Sequence, residues 1–276
     1  LPETHGEINV QGEVVHPLDI LGTETFVRAF DASNVVAGLV CEELAEPQFY
    51  SVDPASPSYL CVLDPIDGTS NADIAITIGS IYGVFPTEAG VELSGEQPFL
   101  RPGTDFVATG YVLYGSSTVL VLATPGRVQE FTLHDASGEF RLTRADMRIP
   151  DTCPYYSVNQ GYEDRWDPAV QRAVQAVRQG RSLRYVGSLV SDFHRDLVRG
   201  GVFLYPADSK NPNGKIRVLY EAAVFAYIAE QAGGAASIGV GPVLELVPDS
   251  VHQRTPLFIG NAVAVEQIDH ALRAGG

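Results

Sequence analysis

Residues 61–71 have the sequence Cys-Val-Leu-Asp-Pro-Ile-Asp-Gly-Thr-Ser-Asn. The apolar run from Tyr59 to Leu63 predicts a buried strand, which we expect to end at Pro65 because proline fixes φ and donates no backbone N–H. Asp64 and Asp67 follow the strand, with the carbonyl of Ile66 between them. Oxygen ligands of this kind suit Mg²⁺ and other hard divalent cations.

Small residues come directly after the two aspartates. Gly68, Thr69 and Ser70 let backbone N–H groups approach an oxyanion closely. Metal ligands beside anion donors favour metal-assisted phosphate chemistry. The alternative is a plain turn, because Asp-Pro and Asp-Gly are both turn dipeptides.

Other acidic residues are placed to join the same site. Glu42 and Glu43 follow the β-branched run 35–40, and two strand ends that carry acids indicate one shared metal site at a sheet edge. Glu221 lies on the apolar side of a predicted helix and needs a partner there. Asp19 precedes an apolar pattern. A solvated turn at 42–43 and a simple helix cap at Asp19 remain the alternatives.

The composition fits a globular protein with a sizeable core. The 276 residues are enough for one large domain or two ordinary ones, and 45% of them are hydrophobic. A net charge of −16 disfavours nucleic acid as a partner and favours bound cations wherever an anion must bind. Three cysteines without a CxxC spacing fit a reducing cytoplasm. We expect no membrane span.

The apolar patterns predict a mixture of helices and strands. Helices are expected over 19–32, 106–113, 167–177, 189–198, 215–232 and 263–272. Strands are expected over 35–40, 59–63, 73–85, 117–123, 202–205 and 256–259, with a hairpin over 131–143 and an arm or edge strand within 1–14. There is no strict βαβ rhythm, so stacked α and β layers are favoured over one doubly wound sheet. A change of pattern predicts a boundary between residues 1–147 and 148–276.

The chain resembles the class I fructose-1,6-bisphosphatases, which belong to the sugar-phosphate phosphatase superfamily together with the inositol monophosphatases. The matching motifs follow one another along nearly the whole chain: LDIL at 18–21, CEE at 41–43, DPIDGTSN at 64–71, GYVLYGSS at 110–117, YSVNQGY at 156–162, RYVGSLVSDFHR at 184–195, FLYPAD at 203–208, NGKIRVLYEA at 213–222, AGG at 232–234 and HQRTP at 252–256. Tyr220-Glu221 stands where the inositol branch has a WDxAAG-like helix. Thr69 departs from the usual serine but keeps its hydroxyl.

The resemblance implies a mixed α+β fold, a layered α-β-α-β-α sandwich. The first half would bind metal and the second half sugar phosphate. It also implies about two or three Mg²⁺ ions per subunit, with Mn²⁺ able to substitute. The site residues that it implies are metal ligands at Glu42, Asp64, Ile66, Asp67 and Glu221, a water-activating pair at Asp19 and Glu43, contacts to the leaving phosphate at Gly68, Thr69, Ser70 and Arg217, and contacts to the other phosphate at Asn159, Tyr162, Tyr185, Tyr205 and Lys215. Arg184 matches an arginine supplied by a neighbouring subunit, so a homodimer or homotetramer is expected.

The implied reaction is Mg²⁺-dependent hydrolysis of the 1-phosphate of fructose 1,6-bisphosphate, in gluconeogenesis or the Calvin cycle. The nearest alternative is sedoheptulose 1,7-bisphosphate, alone or as a second substrate. A non-catalytic sugar-phosphate sensor is disfavoured, because it would not need the water-activating pair.

The resemblance weakens where the family binds AMP. Ser58-Tyr59 stands at a Lys-Tyr pair of that site, and Phe85-Pro86 stands near an arginine of it. The arm before Gly12 is shorter than the family's two N-terminal helices. A phosphate without cationic partners loses its charge-assisted hydrogen bonds. We therefore expect no AMP inhibition through that site, and no thiol control, because the cysteine-bearing insertion of light-regulated relatives is missing.

Overall fold

Two mixed sheets carry the fold. The computed structural model describes residues 15–53, 56–87 and 93–274, and the predicted N-terminal arm lies outside them. The strands along the chain are β1 (Val36–Cys41), β2 (Gln48–Phe49), β3 (Tyr59–Asp67), β4 (Ile78–Pro86), β5 (Ala108–Tyr114), β6 (Thr118–Thr124), β7 (Arg127–His134), β8 (Glu139–Arg144), β9 (Tyr155–Ser157), β10 (Ser182–Leu183), β11 (Val202–Tyr205), β12 (Ile216–Arg217), β13 (Ala235–Ser237), β14 (Arg254–Thr255) and β15 (Leu257–Gly260).

The larger sheet has eight strands in the order β2-β1-β3-β4-β5-β6-β7-β8. Only the pair β1 and β3 is parallel among its described strands. The smaller sheet has the order β10-β9-β11-β15-β13, and β12 pairs with β14 in a separate antiparallel ribbon. Because β1 and β3 are parallel neighbours, their carboxyl ends lie at one edge of the sheet. That edge holds the acidic residues.

The helices are α1 (Pro17–Ser33), α2 (Pro168–Arg178), α3 (Leu189–Arg199), α4 (Ala223–Gln231) and α5 (Ala262–Arg273). Helix α1 packs on β1 and β3. Helices α3 and α4 contact strands of both sheets, and α2 and α5 pack together with α5 against β13 and β15. The layers therefore run α-β-α-β-α, as the resemblance implied.

Apolar side chains fill each interface between layers. Between the sheets, Phe225 of α4 packs against Phe193 of α3 and Tyr111 of β5, with ring centroids 4.8 and 5.3 Å apart. All three side chains are fully buried. Burying a side chain of this size contributes about 1.5–3 kcal/mol, so this aromatic cluster fixes α3 and α4 against the larger sheet.

The ends of the helices that reach the site follow from local sequence. Pro17 opens α1, where its missing N–H costs nothing, and His16 and Asp19 cap it reciprocally. Ser188 is the N-cap of α3, and Gly200 follows its last turn.

One predicted helix is wrong, and a second one begins at the wrong residue. Residues 106–113 form most of β5 instead of a helix, and β5 pairs with β4 and β6 on its two sides. The helix predicted over 215–232 begins later, because Ile216 and Arg217 pair with the distant strand β14. A π-helical turn, Val218–Ala222, then leads into α4.

Two strand predictions also need correction. Strand β3 continues past Pro65 to Asp67 through an irregularity in its pairing with β4. Residues 69–74 form a 3₁₀ turn, so β4 begins only at Ile78. The boundary near residue 147 stays a prediction.

Candidate active site

Two carboxylates of β3 and one from the π-helical turn before α4 meet beside the end of β3, and we call these three residues the acid cluster. Oxygen atoms of Asp64, Asp67 and Glu221 lie within 4.8 Å of one another. Asp64 is only 2% exposed, and Glu221 is also buried. Like charges this close repel one another, so the cluster requires protons or a cation.

The extension of β3 explains how two aspartates of one strand reach the same place. Asp64 pairs with Ile81 and Asp67 with Gly79, so β3 has one extra residue in this stretch. Such a bulge re-aims side chains, and it tolerates Pro65 because the ladder is already interrupted there. The Pro65 carbonyl accepts a hydrogen bond of 2.6 Å from Ser80 Oγ.

Each carboxylate is also held by neighbouring backbone. Asp67 Oδ2 accepts hydrogen bonds from Ser188 Oγ (2.7 Å) and from the N–H of Val190 (2.9 Å) at the start of α3. Glu221 Oε2 accepts a bond of 2.6 Å from the N–H of Arg217. Asp64 Oδ1 accepts one of 3.0 Å from the N–H of Ile66.

Burial and mutual repulsion dominate the electrostatics of the cluster. Burial raises the pKa of Asp64 well above its ordinary value, and the nearby carboxylates of Glu42, Asp67 and Glu221 raise that pKa further. Burial also raises the pKa of Asp67, although the hydrogen bonds from Val190 and Ser188 oppose the rise. An all-oxygen donor set with raised pKa values fits a hard divalent cation, which would stabilise the charged carboxylates.

Glu42 has a cationic partner as well as acidic neighbours. Its Oε1 lies 3.3 Å from Nη2 of Arg217, which is only 3% exposed. The backbone N–H of Glu42 bonds the carbonyl of Leu63, which places the end of β1 beside the end of β3. Arg217 thus links Glu42 to Glu221 and offsets part of the negative charge.

Asp19 lies at the start of α1. Its Oδ2 accepts the N–H of His16 (3.0 Å) and its Oδ1 accepts Thr69 Oγ1 (2.9 Å). The same Thr69 hydroxyl lies 2.9 Å from the Ile66 carbonyl. Asp19 therefore caps α1 and is also bonded to Thr69, so a capping role does not exclude the predicted role of Asp19 at the site, which stays a prediction.

A cavity of about 480 Å³ lies over these residues. Its walls combine acids, small residues and two cations. They are formed by His16, Asp19, Glu42, Glu43, Asp64, Ile66, Asp67, Gly68, Thr69, Ser70, Gly187, Tyr205, Lys215, Ile216, Arg217 and Glu221. Every residue predicted to bind metal, activate water or contact the leaving phosphate is among them.

The residues predicted to hold the other phosphate are more dispersed. Lys215 and Tyr205 line the cavity, and Tyr205 also lines a small adjoining hollow with Asn159 and Tyr162. Burial raises the pKa of Tyr185, and the nearby hydroxyls of Tyr205 and Tyr162 contribute to that rise. Tyr205 is therefore shared by the cavity and the hollow, and Tyr185, which lines neither of them, lies near Tyr205 and Tyr162.

Arg184 does not line the cavity of its own chain. Its guanidinium lies 5.5 Å from the centroid of the Tyr155 ring, and its Nη1 donates a bond of 2.8 Å to the Leu183 carbonyl. The side chain is exposed.

Four residues of the site were not predicted from the sequence. His16, Gly187 and Ile216 line the cavity, and Ser188 holds Asp67. A serine directly before an apolar helix pattern is a capping signal, so Ser188 could have been found. His16 is an uncommon helix cap, and Gly187 contributes only backbone.

The layered fold thus places three carboxylates that could hold a metal ion in a cavity that Lys215 and Arg217 also line. The sequence models described as fructose-1-6-bisphosphatase, N-terminal domain, and fructose-1-6-bisphosphatase, C-terminal domain, match residues 2–145 and 149–273. The chain belongs to the fructose-1,6-bisphosphatase family.

Similar proteins agree with this assignment. The cytosolic fructose-1,6-bisphosphatase of Solanum tuberosum is 45% identical, over 95% of this chain and 78% of the relative. The class 1 enzyme of Sorangium cellulosum is also 45% identical, over 97% and 79%. The crystal structure of Leishmania major fructose-1,6-bisphosphatase in its holo form superimposes with a TM-score of 0.91 at 36% identity, covering 97% of this chain and 84% of that one.

No helix in the described part of the chain is both long and apolar enough to cross a membrane.

Proposed function

We infer that this protein hydrolyses the 1-phosphate of fructose 1,6-bisphosphate, giving fructose 6-phosphate and orthophosphate. The observation that carries this inference is the convergence of Asp64, Asp67 and Glu221 in a cavity that Lys215 and Tyr205 also line. The names of the similar proteins support the same substrate.

The acid cluster would hold Mg²⁺ through Asp64, Asp67, Glu221, Glu42 and the carbonyl of Ile66. Bound Mg²⁺ supplies positive charge that offsets the phosphate dianion and makes water more acidic. Mn²⁺ takes the same oxygen ligands and can replace it.

Asp19 and Glu43 are proposed to orient the attacking water and to accept its proton. Thr69 fixes Asp19 through the bond to Oδ1, which leaves Asp19 in one orientation toward the cavity. The water oxygen forms a new bond to phosphorus while the bond from phosphorus to the C1 oxygen breaks, and the sugar hydroxyl takes up a proton. N–H groups of residues 68–70 and Arg217 would neutralise charge on the departing phosphate.

The second phosphate would bind far from the reacting bond. Lys215 supplies one positive charge, and Tyr162, Tyr185, Tyr205 and Asn159 supply neutral donors. Such remote contacts orient the substrate for reaction. Arg184 of a neighbouring subunit is proposed to complete this group. The relatives named cytosolic support a cytoplasmic location.

Phosphate release from fructose 1,6-bisphosphate, with Mg²⁺ and with EDTA, tests the inference. Activity should require the cation, and Asp64→Asn should abolish it with little change in melting temperature, because one anionic ligand is lost without a change in volume. Turnover by Asp64→Asn near the wild-type rate at saturating Mg²⁺ would refute the metal site. Values of kcat/KM for sedoheptulose 1,7-bisphosphate, measured in parallel, decide between the two sugars.

A further inference from the structure

A buried carboxylate outside the acid cluster holds the loop before α3, and Gly187 of this loop lines the cavity. Asp192 lies in the first turn of α3 and is 0% exposed. Its oxygens accept hydrogen bonds from the backbone N–H of Val186 (3.1 and 3.0 Å) and of Gly187 (3.0 Å). Two consecutive N–H groups of the loop are therefore bonded to one side chain.

Arg195 compensates the buried charge of Asp192. Its Nη1 donates a bond of 2.8 Å to Asp192 Oδ1, one turn along the same helix. Arg195 also contacts a second fully buried carboxylate, Asp196, at 3.2 and 3.1 Å. Loss of either carboxylate would leave the guanidinium paired with the other one, so each can be changed without leaving a buried cation alone.

The loop held by Asp192 lies between Tyr185 and Ser188, two residues with different neighbours. Tyr185 precedes Val186 and lies beside Tyr162 and Tyr205. Gly187 lines the cavity, and Ser188 Oγ donates a hydrogen bond of 2.7 Å to Asp67 of the acid cluster. A displacement of residues 186–187 would move Tyr185 directly, whereas Ser188 stays held by Asp67 and by its place at the helix start.

A third element is attached to the same carboxylate. Ser157 Oγ at the end of β9 lies 3.3 Å from Asp192 Oδ1 and within hydrogen-bond distance of the Arg184 carbonyl. Strand β9 leads directly to Asn159, another residue of the proposed second phosphate site. Asp192 therefore connects the loop, the helix and the strand that carry this site.

We propose that Asp192 is a positioning residue for the second phosphate: it fixes residues 184–187 so that Tyr185 meets the phosphate that is not hydrolysed. The inference rests on the proposed function. An asparagine at this position keeps the shape of the side chain but replaces an acceptor oxygen with a donor group. At least one loop N–H then loses its charge-assisted bond, and the loop gains freedom.

Two substrates separate this role from a general structural one. Asp192→Asn should raise KM for fructose 1,6-bisphosphate about tenfold with kcat nearly unchanged, because uniform binding is lost. The kcat/KM for fructose 1-phosphate, which lacks the second phosphate, should stay at the wild-type value. An equal loss of kcat/KM with both substrates, or no loss of kcat/KM with either one, would overturn the proposal.

Asp196→Asn is the matched control. Asp196 is equally buried, lies on the same helix and shares Arg195, but within the described part of the chain its side chain makes no hydrogen bond to residues 184–187. Asp196→Asn should leave the kinetic constants for both substrates at their wild-type values. If Asp192→Asn does not fold, Ser157→Ala removes a smaller part of the same network and should raise the same KM by about threefold.

Calorimetric binding of fructose 6-phosphate gives a readout without turnover. Its affinity should fall about tenfold in Asp192→Asn and not in Asp196→Asn, and unchanged affinity would overturn the proposal. A wild-type protein that binds this sugar phosphate but releases no phosphate from the bisphosphate would instead refute the proposed function.

Discussion

Folding and cation binding have opposite effects on the protonation of Asp64. Its pKa is raised in the folded chain without a cation, so the folded state keeps the proton to higher pH than the unfolded state does. The contribution of Asp64 to stability therefore falls as pH rises from the ordinary carboxyl range through the raised pKa. A cation that binds the charged carboxylate reverses this loss.

The consequence can be measured as a pH-dependent effect of Mg²⁺. The melting temperature in Mg²⁺ minus that in EDTA should increase with pH over the range in which Asp64 loses its proton. Asp64→Asn should flatten this difference, because it removes one of the titrating ligands. A difference that shrinks with rising pH in the wild type would contradict the assignment of these carboxylates as ligands.

Two single substitutions separate chemistry from anchoring. Glu43→Gln should lower kcat by about a hundredfold or more and leave KM within a few-fold, because it removes a proton acceptor that acts in the transition state. Lys215→Ala should mainly raise KM, because its charge contributes to binding before and during reaction alike. Steady-state kinetics at saturating Mg²⁺ measure kcat and KM for both variants. A high KM in Glu43→Gln together with a low kcat in Lys215→Ala would exchange the two assigned roles.

At the scale of elements, the acidic residues that lie together were predicted from the sequence more accurately than the bounds of the strands that carry them. The aspartates of 64–71 and Glu42 were found because each follows an apolar run. The continuation of β3 through Pro65 was missed, because a bulge depends on pairing with β4. The start of α4 was misplaced for a similar reason: β12 exists only through its contact with β14, far along the chain. Local patterns do not encode such long-range pairs.

The turn after β3 offers an element-scale test at Gly68. Its φ is +79°, and an added Cβ would lie 2.9 Å from Ser188 Cβ, the residue that holds Asp67. Gly68→Ala should therefore destabilise the fold by more than the roughly 1–2 kcal/mol of left-handed backbone alone, and should also reduce activity. Thermal unfolding and phosphate release measure the two effects.

Gly138→Ala is the control for this turn. Gly138 has a similar φ of +68°, and its Cβ would meet nothing within 4 Å. Gly138→Ala should lower the free energy of unfolding by the cost of the left-handed backbone alone, and it should retain full activity. Equal behaviour of the two variants would mean that the contact between Gly68 and Ser188 does not matter for the site.

At the scale of the whole molecule, the open question is whether one chain forms a complete site. Within a single chain, Arg184 is exposed and lies against Tyr155 instead of the cavity. The sequence alone could not locate an interface, because it shows no feature that separates an exposed arginine from one that meets a partner. The resemblance to an arginine shared between subunits supplied that interpretation, and it leads to a test by mixing.

Two inactive or weakened variants should restore activity when they assemble together. Arg184→Ala lacks the shared cation, and Asp64→Asn lacks a metal ligand. In a mixed dimer, the site with intact Asp64 would receive Arg184 from the Asp64→Asn subunit and regain a low KM, while the other site stays inactive. Refolding the two variants as a mixture should therefore give about half of the wild-type activity per mixed dimer at substrate concentrations where Arg184→Ala alone is weak. If Arg184 acted within its own chain, neither site of the mixed dimer would hold both groups, and mixing would restore nothing.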